Sequence, residues 1–349
     1  MRRDFRIFAL AGIGLTAACA TVPAPGDPAV PVYAVAETQP VVTANEDAAD
    51  DPAIWRNAEN PAKSLVIGTD KKAGLYVYGL NGQVKSFLPA GLLNNVDLIG
   101  GRDSALVVAS DRTDPAQSHL ALFSMNFGDP TPKALGRVAS GAGEGYGICL
   151  APDIGAAEKS GLPANVTAYA SLKDGTVNRV ELTSDGTTYS GNVTQSHKIA
   201  SQIEGCVVDP ATGDLFIGEE NVGIWRFAAG DLSVAPVQFA AIGEADGLVA
   251  DVEGLAIARD GGRSLLIASS QGDNAYAVFA MDGTLLGRFR IAGGAIDPTS
   301  ETDGIEVHVG DFGPAFPGGL FVAQDGDNAP DAQNFKFVSW DAIKFALGL

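Results

Sequence analysis

The sequence predicts an all-β protein, a six-bladed β-propeller. Short β-rich runs recur at spacings of about 45 to 60 residues, which suits a four-stranded blade with variable loops. Most of these runs end on an Asn-Gly or Asp-Gly type of turn, the strongest short-range hairpin signal. Helical periodicity is nearly absent, and 43 glycines with 19 prolines in 349 residues favour turns over long helices.

The first run, 74–78 (GLYVY), leads to Asn81-Gly82, and the second, 119–123 (HLALF), to Asn126-Phe127-Gly128. The third, 176–182 (TVNRVEL), leads to Asp185-Gly186, and the fourth, 223–227 (GIWRF), to Gly230-Asp231. The fifth, 275–279 (AYAVF), leads to Asp282-Gly283, and 335–340 (FKFVSW) closes the series. A preceding strand accompanies most of them: 65–68 (LVIG), 105–109 (ALVVA), 214–218 (DLFIG), 264–268 (SLLIA) and 318–322 (GGLFV). Six repeats make one domain over 37–349. Paired β-sandwiches would need a boundary, and no linker interrupts the chain after about residue 37. Residues 342–349 fit a short helix or a strand.

Residues 1–19 read as an export signal. Arg2, Arg3 and Arg6 precede an apolar run over 7–18 that is short for a membrane span. Leu15-Thr16-Ala17-Ala18-Cys19 resembles a lipobox that would leave Cys19 as a lipid anchor, and Ala18-Cys19-Ala20 is the competing cut for ordinary secretion. Either cut takes the protein out of the cytoplasm, as an outer-membrane or periplasmic lipoprotein or a secreted protein. Residues 20–36 are rich in Pro and Ala and read as a tether. Cys149 and Cys206 fit one disulfide of an exported protein or two small buried apolar side chains.

The formal net charge is −19, which makes nucleic acid and anionic membranes poor partners and cations good ones. The acids fall in matching places. Glu46 to Trp55 reads EDAADDPAIW, four carboxylates and then an abrupt apolar edge. Acid-Gly motifs recur between blades: Glu144-Gly145-Tyr146-Gly147, Glu204-Gly205, Asp251-Val252-Glu253-Gly254 and Asp303-Gly304-Ile305-Glu306. If each begins an inner strand, their carboxylates converge on one mouth of the central channel, joined by Asp50, Asp51, Glu219 and Glu220. Such a ring repels itself and calls for hard cations with oxygen ligands, calcium above all. Zinc would want His or Cys, and His119, His197 and His308 share no motif. Basic residues are scarce, yet Lys71, Lys72, Arg112 and Lys173 lie in turn or strand-end contexts near the acids, which suits a polyanion such as phosphate.

Ten stretches taken in order resemble the β-propeller (alkaline) phytases: 47–55 (DAADDPAIW), 94–97 (NNVD), Tyr146-Gly147, Glu204-Gly205, 218–220 (GEE), 223–225 (GIW), 251–255 (DVEGL), 268–272 (ASSQG), 302–305 (TDGI) and 321–326 (FVAQDG). They run from about residue 37 to 340, nearly the whole mature chain. The resemblance implies calcium of two classes, structural and catalytic, and hydrolysis of phosphate monoesters of myo-inositol hexakisphosphate (phytate), of the 3-phytase type. It implies catalytic-calcium ligands at Glu37, Asp50, Tyr146, Glu204, Glu220, Asp251, Glu253, Gln271 and Asp303. Lys71, Lys72, Arg112 and Lys173 would bind phosphate. Asp51 with the backbone of Pro52 and Val96 matches one structural calcium site, and Asp297, Asn328 and Asp331 match another. The chain departs from the family pattern by one extra residue between Glu37 and Asp50, and in the loop 325–331 (DGDNAPD).

A monomer acting on phytate or calcium-phytate is expected. Other phosphatase chemistries lack their motifs: there is no Arg-His-Gly, no Cys-x5-Arg loop and no Gly-x-Ser-x-Gly elbow. A calcium-dependent lactonase or esterase propeller would use a similar channel metal but has no use for the Lys/Arg set. A non-catalytic calcium-stabilised binding propeller needs neither that set nor so many channel acids.

Overall fold

A computed structural model describes residues 28–349 apart from positions 45, 154 and 244. The expected export signal and Cys19 lie outside the described residues. The described residues open with β1 (Val30–Val32) and β2 (Ala36–Glu37). Blade one is β3 (Ala49–Trp55), β4 (Leu65–Asp70), β5 (Gly74–Gly79) and β6 (Val84–Pro89). Blade two is β7 (Leu93–Gly100), β8 (Ser104–Asp111), β9 (Gln117–Asn126) and β10 (Asp129–Ala142). Blade three is β11 (Gly145–Leu150), β12 (Asn165–Leu172), β13 (Thr176–Ser184) and β14 (Tyr189–Lys198). Blade four is β15 (Ile203–Val208), β16 (Leu215–Glu219), β17 (Gly223–Phe227) and β18 (Val237–Ala241). Blade five is β19 (Val252–Asp260), β20 (Arg263–Ser270), β21 (Ala275–Ala280) and β22 (Leu285–Ile291), and blade six holds β23 (Ile305–Val309), β24 (Gly319–Asp325) and β25 (Asn334–Ser339).

Within each blade consecutive strands pair antiparallel, innermost first. The six inner strands β3, β7, β11, β15, β19 and β23 contact one another in a closed ring. Blade six takes its outer strand from the start of the chain: β2 pairs antiparallel with β25, Ala36 opposite Phe337 and Glu37 opposite Lys336. β1 lies parallel to β22 as a fifth strand of blade five. Chain expected to be tether is therefore built into the propeller from Val30 onward. The Asn81-Gly82 turn is tied to this closure. Gly82 has φ +73° and packs so closely on β2 that a Cβ would stand 1.7 Å from the Glu37 carbonyl oxygen.

Strands near the axis read as continuous apolar runs because neighbouring blades cover both their faces. Every residue of β4 and β5 is buried, whereas the outermost β14 is largely exposed. The core is six apolar layers, one at each junction between blades. Trp55 and Phe123 fill the layer between blades one and two, and Tyr78, Phe335 and Phe337 the one between six and one. Full burial of each such ring is worth about 1.5–3 kcal/mol. The undecided C-terminus is a helix, α1 (Trp340–Leu347), ended by Gly348 at φ +70°. It buries Trp340 and Ile343 in the layer of blades five and six, and Trp340 Nε1 donates to Asp260 at 3.0 Å.

The two body cysteines are joined. Cys149 on β11 and Cys206 on β15 form a disulfide that spans the inner strands of blades three and four, 57 residues apart in sequence. Closing a loop of that length restricts the unfolded chain. Replacing both cysteines by alanine is expected to lower the unfolding free energy by about 2–4 kcal/mol. Urea titration of wild type and variant under oxidising conditions would check it, and coincident curves would show that the bond adds no stability.

Candidate metal centre and phosphate site

Five inner strands begin with the same irregularity. The ladder skips between Ala49 and Pro52, Leu93 and Val96, Gly145 and Ile148, Ile203 and Cys206, and Val252 and Leu255. Each bulge frees two residues from pairing and re-aims their side chains, a device common beside active sites. The freed pairs are Asp50-Asp51, Asn94-Asn95, Tyr146-Gly147, Glu204-Gly205 and Glu253-Gly254. In blade six, Asp303-Gly304 stands just ahead of β23. Glycine in the second place lets the next strand close in. A Cβ on Gly147 would stand 2.0 Å from the Glu204 carbonyl oxygen, and one on Gly205 2.1 Å from that of Glu253. A Cβ on Gly254 would meet the Asp303 carbonyl at 2.7 Å, and one on Gly304 that of Asp50 at 2.6 Å. The acids are thus stacked blade against blade around one mouth.

Glu204, Glu220 and Glu253 are all buried and offer carboxylate oxygens within 4.8 Å of one another. Burial, then the charges of Asp50 and Asp303, push Glu204 well above the usual carboxylate range. Burial and Glu204 do the same to Glu253. Glu220 is raised chiefly by burial, against a 2.6 Å bond from Gln202 Nε2. Asp303 is raised by burial to about 7, although Lys71 opposes the shift. Burial and the same acids keep Tyr146 a neutral phenol, and its hydroxyl accepts from Gln202 at 3.3 Å. Gln271 Nε2 donates to Asp303 at 2.7 Å. Asp251 is half-buried immediately before β19. Among the described residues, Asp50 Oδ2 and Glu253 Oε2 are buried without a hydrogen-bond partner, and Asp50 Oδ1 has only the ion pair with Lys71. Orphaned buried oxygens, an all-oxygen donor set and mutual repulsion fit a hard divalent cation.

Of the expected phosphate cations, Lys71 is buried among carboxylates, with Nζ 2.7 Å from Asp47, 3.0 Å from Asp50 and 2.9 Å from Asp303. Burial alone would depress its ammonium, but Asp50, Asp303 and Asp47 outweigh that and raise it. Lys72 is exposed beside it. Arg112 bonds Asn94 at 2.6 Å and Glu144 at 3.2 Å. Lys173 Nζ stands 5.3 Å from the centre of the Tyr146 ring. A cleft of about 440 Å³ adjoins the ring, lined by Asp47, Gln271, Asn274, Glu301 and Asp303. A larger cavity of about 560 Å³, lined by Lys63, Phe127, Phe312 and Phe316, contains none of these groups.

Two expected ring members sit elsewhere. Glu219 is spent on Trp225 Nε1 at 2.7 Å and the Ser201 amide at 2.8 Å. Glu37, grouped with the mouth acids by resemblance, is carried by β2 into an edge cleft of about 220 Å³ with Asp297, Asn328 and Asp331. At that edge the fully buried Lys336 reaches Glu37 at 2.6 Å, Asp297 at 2.7 Å, Asn328 at 3.1 Å and Asp325 at 3.2 Å. From the sequence, Asp325 entered only through the stretch 321–326 and the loop 325–331, and Lys336 only as part of the β-rich run 335–340, neither with a role in the site. Deeper in the channel, Asp51 accepts from the Val96 amide at 3.0 Å, and with Pro52 and Val96 it lines a cavity of about 30 Å³. Asp97 and Glu306 line the same cavity, raised by burial to about 6 and about 8. Both lie in stretches already marked by the NNVD and Asp-Gly-Ile-Glu motifs, which was the available signal.

Fold and site define a six-bladed propeller with a ring of buried acids at one channel mouth. A sequence model described as Phytase matches residues 8–349, and the chain belongs to the phytase family. It is 36% identical over 335 residues to the 3-phytase of Bacillus subtilis (strain 168), covering 91% of this chain and 85% of that one. A chain in the crystal structure of the mitotic checkpoint complex superposes with a TM-score of 0.50 at 11% identity, over 97% of this chain and 86% of that one. That likeness concerns the fold alone.

The raised carboxylates give stability a pH dependence. Unfolded carboxylates release their protons near pH 4, whereas native Asp303 holds its proton to about pH 7 and Glu306 to about pH 8. In that window the native chain binds more protons than the unfolded one, so stability falls as pH rises. The urea midpoint of chelator-stripped protein is expected to drop between about pH 5 and about pH 8, and millimolar calcium to flatten the drop. A midpoint that rises with pH in chelator would contradict this assignment.

Proposed function

We propose that this chain releases inorganic phosphate from phytate, using calcium held at the channel mouth by Asp50, Tyr146, Glu204, Glu220, Asp251, Glu253, Gln271 and Asp303. The observation that carries this is the convergence of Glu204, Glu220 and Glu253 within 4.8 Å, buried and without an ion pair among the described residues, beside a set of basic side chains. An acidic protein of net charge −19 needs intervening positive charge to hold a more acidic substrate. Calcium held by these residues would supply that charge to phosphate oxygens and would lower the pKa of a water for in-line attack.

The chain's own residues do the rest. Arg112 and Lys173 at the mouth, with the exposed Lys72 next to Lys71, orient phosphate oxygens and add charge stabilisation as the ester bond breaks. Lys71 is engaged by three carboxylates, so it turns to phosphate only when those carboxylates are neutralised. Tyr146, kept neutral, offers a hydroxyl donor at the floor. No side-chain nucleophile is required. Asp51 with the Pro52 and Val96 backbone, and the Glu37, Asp297, Asn328 and Asp331 cleft, serve as structural cation sites. The Cys149–Cys206 bond supports the reading of an exported protein.

Phosphate release from phytate by residues 28–349 is expected to appear as calcium is titrated into stripped protein and to vanish with chelator before the fold melts. A rise in melting temperature without release would leave the metal sites and remove the reaction. Glu204→Ala and Asp251→Ala are each expected to cut turnover at least about 100-fold while the circular dichroism spectrum is kept. Near-normal activity in both would sink the proposed cluster.

A further inference from the structure

We infer that Asn94 is a positioning residue of this site, whose buried amide ties the phosphate-binding arginine to a cation-binding carboxylate. The inference rests on the reading of Arg112 and Glu204 given above. Four of the five bulges present a carboxylate or a phenol as their first freed residue: Asp50, Tyr146, Glu204 and Glu253. The blade-two bulge between Leu93 and Val96 presents Asn94 at that place instead. The side chain is fully buried. Its Oδ1 accepts from Arg112 Nη1 at 2.6 Å, and its Nδ2 donates to Glu204 Oε1 at 2.7 Å.

The direction of the amide is forced. A guanidinium only donates, so the atom facing Arg112 is the carbonyl oxygen, and the NH2 turns to Glu204. The second arm of Arg112 reaches Glu144 Oε1 at 3.2 Å. One continuous line therefore runs from Glu144 through Arg112 and Asn94 to Glu204. A carboxylate at position 94 would complete the acidic ring but would trap the guanidinium in a close ion pair. The neutral amide fixes one arm of the guanidinium without adding a second, buried ion pair to the half-exposed one with Glu144. On its other side it occupies one oxygen of Glu204 and leaves the second for a cation. The blade without an acid is thus the blade that connects the two halves of the site.

A double-mutant cycle tests this, with KM and kcat for phytate at saturating calcium and calorimetric calcium titration of the substrate-free protein. Asn94→Ala is expected to raise KM about tenfold, as Arg112→Ala does, and to weaken calcium binding several-fold, which Arg112→Ala does not. In the double variant KM should stay within about twofold of Arg112→Ala alone, because Asn94 acts on KM through Arg112. Should Asn94→Ala fail to fold, the near-isosteric Asn94→Asp replaces it in the cycle, and KM is again expected to rise, now through the ion pair with Arg112. KM losses that multiply, or unchanged calcium binding in Asn94→Ala, would overturn the assignment of Asn94 while leaving Arg112 at the phosphate. An unchanged KM in Arg112→Ala would remove Arg112 from the phosphate site and the role of Asn94 with it.

Discussion

The site depends on how closely adjacent inner strands approach at the mouth. Gly147, Gly205, Gly254 and Gly304 each take the position where a Cβ would collide with the next blade's backbone, at 2.0 to 2.7 Å. That approach sets the spacing between blades at the ring and so the distance between carboxylates. A wider ring would let each acid keep its own water, and the repulsion now shared by Glu204, Glu253 and Asp303 would dissipate. The bulges do the complementary work. They take one pair of residues per strand out of the ladder without disturbing the apolar run behind it. The core can then be built from ordinary buried strands while the first turn of each carries charge.

Desolvated like charges are unfavourable, and the molecule places two lysines where they relieve them. Lys71 sits among Asp47, Asp50 and Asp303, and Lys336 among Glu37, Asp297 and Asp325. Both ammonium groups are buried and both have their pKa raised by those acids against the effect of burial. The six interblade layers supply the apolar stabilisation that tolerates this concentration of charge at one end.

Much of this was legible in the sequence. Continuous apolar runs closed by Asn-Gly and Asp-Gly turns gave the blades, because hairpin chemistry is local. The acid-Gly pairs gave the mouth, because a glycine behind an acid and ahead of an apolar run marks close backbone approach. What was missed was non-local or too short to register. β1 and β2 span three and two residues of Pro/Ala-rich chain, and only their partners β22 and β25 make them strands. Glu37 was placed by its order in the chain, whereas the register of β2 against Lys336 decides where it points. Asn94 stood in the sequence only as part of the NNVD stretch, without a role, until its two partners, 18 and 110 positions away, were brought beside it.

The pairing of β2 with β25 also sets a clock on biosynthesis. Glu37 precedes the first blade in the chain, and Lys336, opposite it, follows the other five blades. Until the final strand emerges, blade six has no outer edge, the ring stays open, and Asp303 has no closed neighbour on its side of the mouth. An open blade edge is a template for foreign strands. A chain that lacks β25 is therefore an aggregation hazard, and the acidic ring comes into being in a single closing event when β2 meets β25.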